Sequence, residues 1–332
     1  MTKQAGDRWP RPVDRGRVDE PVHAEKAPAP WDKTLQSWNP IVVLALAALG
    51  AAGSVLLLYI NADATIRSVE FIDSPGFPPW AALIATQTAV WAVVTVPLWR
   101  EVISTYQTTN PSWSIWLAPT LVVLAVVALA VTSPARGFDW PLVGHHLKVW
   151  TLTAAATAGV GVPALFGIAL VQDRVRRHEP KKLTTRHIEV ALDARAQMKR
   201  FLGLAGAVIG LAVLASGGLR RATVPDFIDE FEFPASAVLL YGAFFTALLL
   251  IVYVPAYLSL RRLCLDIRER YFPVTKMPSP TSAEFAAWVE GRSRLDALTQ
   301  VNVTASQQLQ ASIFILAPLL SGLLSALVPP LS

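Results

Sequence analysis

The sequence predicts an all-α polytopic membrane protein with seven transmembrane helices, the N-terminus in the cytoplasm and the C-terminus outside. Three features carry this: seven apolar stretches without an ionised side chain, basic residues on alternate sides of them, and tryptophans at their ends. About 20 apolar residues cross a hydrocarbon core as a helix. In lipid only a helix or a closed barrel satisfies its own backbone.

The spans read, in order, Ile41–Ile60, Pro79–Leu98, Ile115–Thr132, Val149–Val171, Phe201–Leu219, Ala235–Leu260 and Ala311–Leu331. Of the 29 Lys and Arg, 24 fall in the N-terminal segment and in the loops after spans 2, 4 and 6. The remainder, Arg67, Arg136, Lys148, Arg220 and Arg221, lie in the other loops. Basic loops stay in the cytoplasm, which sets the orientation. Trp38, Trp99, Trp113 and Trp116 mark inner ends, Trp80, Trp140 and Trp150 outer ends, and only Trp91 sits deep in a span. A soluble bundle would need polar faces on these helices, and they have none.

Residues 1–30 are rich in Pro and charge without apolar periodicity, the composition of a disordered cytoplasmic tail. Trp31, Leu35 and Trp38 then recur at helical spacing, giving an interfacial segment over 31–40. No cleavable leader is evident, since span 1 is too long for one. The 21 Arg against 8 Lys and the heavy use of Ala, Val and Leu point to a bacterial plasma (inner) membrane. The sole cysteine, Cys264, excludes an intramolecular disulfide.

The membrane domain, 41–331, contains a candidate duplication. Glu70-Phe71-Ile72-Asp73 with Phe77-Pro78, between spans 1 and 2, aligns without a gap on Asp226-Phe227-Ile228-Asp229 with Phe233-Pro234, between spans 5 and 6. Gly50-Ala51 superposes on Gly206-Ala207 at the same offset. Thr95–Leu98 resembles Tyr253–Ala256, and Leu117–Pro119 matches Leu316–Pro318. The expectation is a parallel 3+1+3 repeat: repeat one over 41–132, a linker helix at 149–171 and repeat two over 201–331. That layout resembles the SWEET-type sugar facilitators, and the resemblance implies a passive transport fold. The chain departs from them in lacking a Pro-Gln pair and in its N-inside orientation, so no residue is carried over.

Pro97, Pro163 and Pro255 fall in spans 2, 4 and 6, where each removes an intrahelical hydrogen bond and frees a carbonyl. Lipid tolerates this only where protein or a cavity satisfies the freed group. The few polar side chains inside spans share those helices, among them Gln87, Thr88, Thr157, Tyr241 and Tyr253. These eight residues are the candidate hinge and pathway, with kinking and interhelical hydrogen bonds as their structural alternative. Small residues such as Gly50, Gly53 and Gly210 suit close packing.

No Asp, Glu, Lys, Arg or His lies within a span, so ion-coupled transport is not expected. No catalytic motif appears, and neither an enzyme nor a bound cofactor is expected. Asp139, His145 and His146 could hold a metal only as a weak trio, so no metal site is assigned. Basic residues alternate with acids and match no nucleic-acid-binding module.

Two cytoplasmic segments carry order. Ile188, Ala191, Leu192, Arg195 and Met198 form a helical stripe entering span 5. A capping box at Thr281 and Glu284 opens an amphipathic insert over 281–305, with Phe285, Trp288, Leu295 and Leu298 as candidate docking residues beside Val289. The expected function is a passive transporter or channel-like pore between spans 2, 4 and 6. The alternative is a membrane anchor or signalling partner recruiting a cytoplasmic protein through the 261–310 loop. Expected partners are the bilayer, with anionic headgroups at the basic inner face, and either a second copy of the chain or that cytoplasmic protein.

The orientation is open to direct test in a Cys264→Ala background. A cysteine replacing Asp226 reacts with a membrane-impermeant maleimide in intact cells, and one replacing Glu284 reacts only after permeabilisation. The reverse pattern overturns the assignment.

Overall fold

In the computed structural model, residues 39–109, 111–132, 137–177, 185–224, 226–301 and 315–324 are described. The expected tail over 1–30, nearly all of the interfacial segment and much of the seventh span lie outside them. The described elements are helical, with no strand among them.

Helix α1 spans Pro40–Tyr59, opened by Asn39, whose side chain accepts the Ile41 N–H at 3.0 Å. A short α2, Ile66–Asp73, lies in what the sequence read as a plain loop, capped by the Thr65 hydroxyl. Helix α3 runs Phe77–Thr109 and passes through Pro97. A 3-10 turn, Trp113–Trp116, leads into α4, Leu117–Thr132. Then come α5, His145–Ala156, a π-helical turn, Thr157–Gly161, and α6, Val162–Arg176, as one continuous rod. Helix α7 spans Thr185–Thr223, α8 spans Ala235–Tyr271 through Pro255, α9 spans Ala283–Thr299 and α10 spans Ile315–Leu324.

Five of these rods are long and apolar enough to cross a membrane: Pro40–Tyr59, Phe77–Thr109, His145–Arg176, Arg186–Thr223 and Ala235–Lys276. They mark the chain as an integral membrane protein. The third and seventh expected spans are represented by shorter apolar helices, Trp113–Leu129 and Ile315–Leu324. The helical stripe at 188–198 does continue into the apolar stretch of span 5 without a break, as α7.

The rod α5–α6 supplies the centre. Every residue from Pro163 to Val171 is buried, enclosed by α3, α7 and α8. A helix apolar on all sides belongs inside a bundle, and this one is. Helix α1 is its opposite: only Ser54 and Leu58 are buried, and Ile41, Leu44, Leu49 and Leu56 face outward along α3. The two ends of the bundle are held differently. At the end marked by His145, Phe71 meets Phe77 and Phe227 edge-to-face, both at 5.4 Å. Arg67 there joins Asp139 and the Phe227 carbonyl, the latter at 2.5 Å. At the opposite end, Arg200 pairs with Glu101 at 2.7 Å and Arg174 with Asp193 at 2.8 Å, tying α7 to α3 and α6.

The loop motifs of the duplication thus touch, through Phe71 and Phe227, but their backbones differ. Glu70–Asp73 closes α2, whereas Phe227–Asp229 belongs to an irregular turn.

The predicted capping box does not form. Ser282, not Thr281, is the residue before α9, and its side chain makes no capping bond. Thr281 instead shares a hydroxyl contact with Ser279 at 3.0 Å, which leaves Glu284 one position too early to reach back. Nor does α9 present one free apolar face. Phe272 stands over Gly291 and meets Trp288 edge-on, Arg292 binds Glu269 at 2.7 Å and the Phe272 carbonyl at 2.5 Å, and Arg195 reaches the Thr299 carbonyl. The insert is folded onto α8 and α7.

Two glycines that look alike in sequence are now distinct. A Cβ at Gly50 would sit 2.5 Å from the Thr88 carbonyl oxygen, while one at Gly53 would meet nothing within 4 Å. Gly50→Ala therefore pushes α1 off α3 and lowers thermal stability, by about 1–3 kcal/mol as for other overpacked contacts. Gly53→Ala leaves the melting temperature unchanged within error. Equal effects at both positions would contradict the α1–α3 contact.

Candidate functional site

A cavity of about 330 Å³ opens between α4, α5, α7 and α8. Its walls are apolar: Val122 and Val126 of α4, Leu152 of α5, Val208 and Ala212 of α7, Leu248 of α8. Those residues come from segments that the sequence makes uniformly hydrophobic, so the helices have no polar stripe with which to fill or wet the gap. The far wall is formed by the π-helical turn, through Thr157 and Gly161, and by Leu165.

The turn has a local cause. Pro163 lacks an N–H and, in a regular helix, clashes with the carbonyl four residues back. Here the chain widens just before it: the Val162 N–H bonds the Thr157 carbonyl, five residues back. Widened turns of this kind concentrate at functional sites. A carbonyl in the turn finds a partner on the neighbouring helix, because the Trp99 indole N–H donates to Ala158 O at 3.2 Å. Gly159 lets α3 approach; a Cβ there would lie 2.8 Å from Thr95 Oγ1. Pro97, Thr95 and Trp99 on α3 are thereby set against the break that precedes Pro163.

The His145 end of the cavity is its polar end. Trp140 and His145 stack with centroids 4.0 Å apart and planes 10° from parallel, and both line the space. His146 and Lys148 also line it. Lys148 is only 5% exposed, and its ammonium donates to the Leu58 carbonyl at 2.8 Å, bridging α5 to α1. Trp91 lines the cavity too, and its indole N–H is buried without an acceptor.

Of the eight residues proposed as hinge or pathway, the structure brings Thr157 and Tyr241 to this cavity. The others lie elsewhere. Thr88 donates to Ser54 Oγ at 2.8 Å, an α1–α3 bridge, and Gln87 is buried beside it on α3. Tyr253 stacks on Tyr257 with centroids 5.8 Å apart. Pro163 is buried in the central rod, Pro97 is half-buried and Pro255 is exposed, and none of the three lines this cavity. The wall draws on spans 3 and 5 as fully as on spans 4 and 6.

The weak metal trio is not assembled: Asp139 is paired with Arg67, and no group of three His, Cys, Asp or Glu gathers among the described residues. Of the docking candidates, Phe285, Trp288 and Leu295 are half-buried, while Leu298 is 52% exposed. Sequence reasoning took Trp140 as a span-end marker, weighed His145 only within a metal trio and left Lys148 as a loop charge, and did not foresee them as the lining of one cavity. Their signal was the i, i+3 spacing of His145 and Lys148, which places both on one turn of α5, yet a span boundary drawn at Val149 left them in the loop.

The arrangement offers a mostly apolar slot whose mouth carries Trp140, His145, His146 and Lys148. No family model matches the chain, and no curated protein or solved structure does so either.

Proposed function

We propose that the protein is a seven-span membrane protein, N-terminus inside, that passively takes up an apolar or amphipathic molecule from the bilayer and passes it through this cavity. The carrying observation is the cavity itself, lined mostly by apolar side chains, with His145, His146 and Lys148 at one end. Its volume lies at the low end of small-molecule sites, which run from about 300 to 1,000 Å³. A wall of Val, Leu and Ala offers a polar solute or an ion no replacement for its hydration shell. A hydrocarbon chain needs none, and the surrounding membrane supplies one. The absence of ionisable residues from the sequence-defined spans supports a passive process.

Two further expectations gain support. The apolar helices Trp113–Leu129 and Ile315–Leu324 fall where spans 3 and 7 are needed. The contact between Phe71 and Phe227, equivalent positions in the duplicated loop motifs, is what a pseudo-twofold arrangement of the repeats would produce. The rival reading, recruitment of a cytoplasmic protein by the 261–310 loop, has less to stand on, because the insert is occupied with its own chain.

Proteoliposomes test the proposal. A fluorescently labelled lysophospholipid in the inner leaflet is protected from an impermeant quencher until it crosses. Crossing is expected to be faster with the protein than in protein-free vesicles, and Ala212→Phe, which fills the cavity, is expected to return it toward the control rate. Equal rates with and without protein, or an unaffected Ala212→Phe variant, would overturn the reading.

A further inference from the structure

The cavity's polar end specifies its ligand more narrowly. Lys148 sits in the first turn of α5, whose N-cap is Gly144. The positive end of a helix dipole disfavours a cation there. The residue is also largely packed away, at 5% exposed. Its described hydrogen bond is a single one, to the Leu58 carbonyl, although an ammonium has three N–H donors. Among the described residues no carboxylate lies within ion-pair distance of it. Helix dipole, burial and missing counter-charge all oppose a cation at this position, and all three are relieved by one change: an anion at the mouth of the cavity.

We propose that the cavity binds a single-chain amphiphile with an anionic head, the hydrocarbon between α4, α7 and α8 and the head on Lys148. The inference rests on the cavity being a binding site for a membrane-derived molecule. A single hydrocarbon chain is the simplest occupant of a cavity of about 330 Å³. The head is an oxyanion, because the mouth offers N–H donors: the free ammonium hydrogens and the backbone N–H groups of His146 and Leu147, those of His145 and Lys148 being bonded to the Leu142 and Gly144 carbonyls. His146, exposed beside Lys148, adds a second group able to donate. Trp140 and His145, stacked as a flat pair, close the space around the head. A fatty carboxylate and a single-chain phosphate share this chemistry, and binding can separate them.

The experiment is a fluorescence titration of the purified full-length chain in detergent, read from the cavity tryptophans, with oleate, oleoyl lysophosphatidic acid and uncharged oleyl alcohol. The native protein is expected to bind at least one anion about tenfold or more tightly than the alcohol, the range for a charge-assisted hydrogen bond. The tighter of the two identifies carboxylate or phosphate. Lys148→Gln is expected to bind the alcohol as before and to lose the preference, and Lys148→Arg to keep it. His146→Glu, at an exposed position that leaves the fold alone, is expected to weaken both anions selectively and serves if Lys148→Gln does not fold. Equal affinity of the native protein for anions and alcohol would overturn the assignment, as would a preference that survives both Lys148→Gln and His146→Glu. Failure of all three ligands, alcohol included, would instead remove the cavity as a binding site and the head-group assignment with it.

Discussion

Lipid offers no hydrogen bonds, and the central rod α5–α6 is where this chain meets that constraint most severely. It contains a proline, it is enclosed by three other helices, and it cannot turn to water for the carbonyls that a break exposes. The π-helical turn at Thr157–Gly161 resolves the geometry, and the Trp99 indole on α3 supplies a donor to Ala158. Other contacts follow from that choice. Gly159 must be small for Thr95 to approach. Helix α3 runs past the turn, through Pro97 to Thr109, and Glu101 on it meets Arg200.

The same widened turn leaves room. Above it the rod touches α3 and α1, and on its other side α7 and α8 pack together while α4 makes only a small contact with α8. The resulting cavity has walls too apolar to hold water well and too short of polar groups to guide an ion. It ends where the bundle carries its aromatic belt, beside a lysine without a carboxylate partner among the described residues. The proposed binding and passage of an amphiphile connect these facts.

Much of the architecture was legible because lipid enforces a simple code. Uncharged apolar length gave the five long rods, and the stripe at 188–198 gave the start of α7 correctly. Less legible was anything set by contacts between helices. Pro97, Pro163 and Pro255 read as one set in sequence, but their neighbours make three different sites of them: one inside an uninterrupted helix beside the rod, one after a π turn and one exposed. Gln87, Thr88 and Tyr253 read as pathway residues, since a polar side chain inside a span signals either a path or an interhelical bond, and Thr88 makes the bond. Lys148 and His145 were passed over for the opposite reason. Hydropathy ends a span at its first charge, whereas α5 begins one turn earlier, and that turn is where the cavity opens. The capping box failed because a neighbouring serine, Ser279, engages Thr281 before the helix begins.

Photo-crosslinking in native membranes tests the central claim most directly. Cells fed a fatty acid with a photoactivatable group along its chain would be irradiated, and the adducts on the protein mapped by mass spectrometry. If the cavity holds a chain, adducts appear on its internal wall, at Val208, Ala212 and Leu248, in addition to any on Leu44 and Leu124, which face outward. They diminish when Ala212 is replaced by Phe. Adducts confined to the outward-facing positions, unchanged by that substitution, would contradict the account.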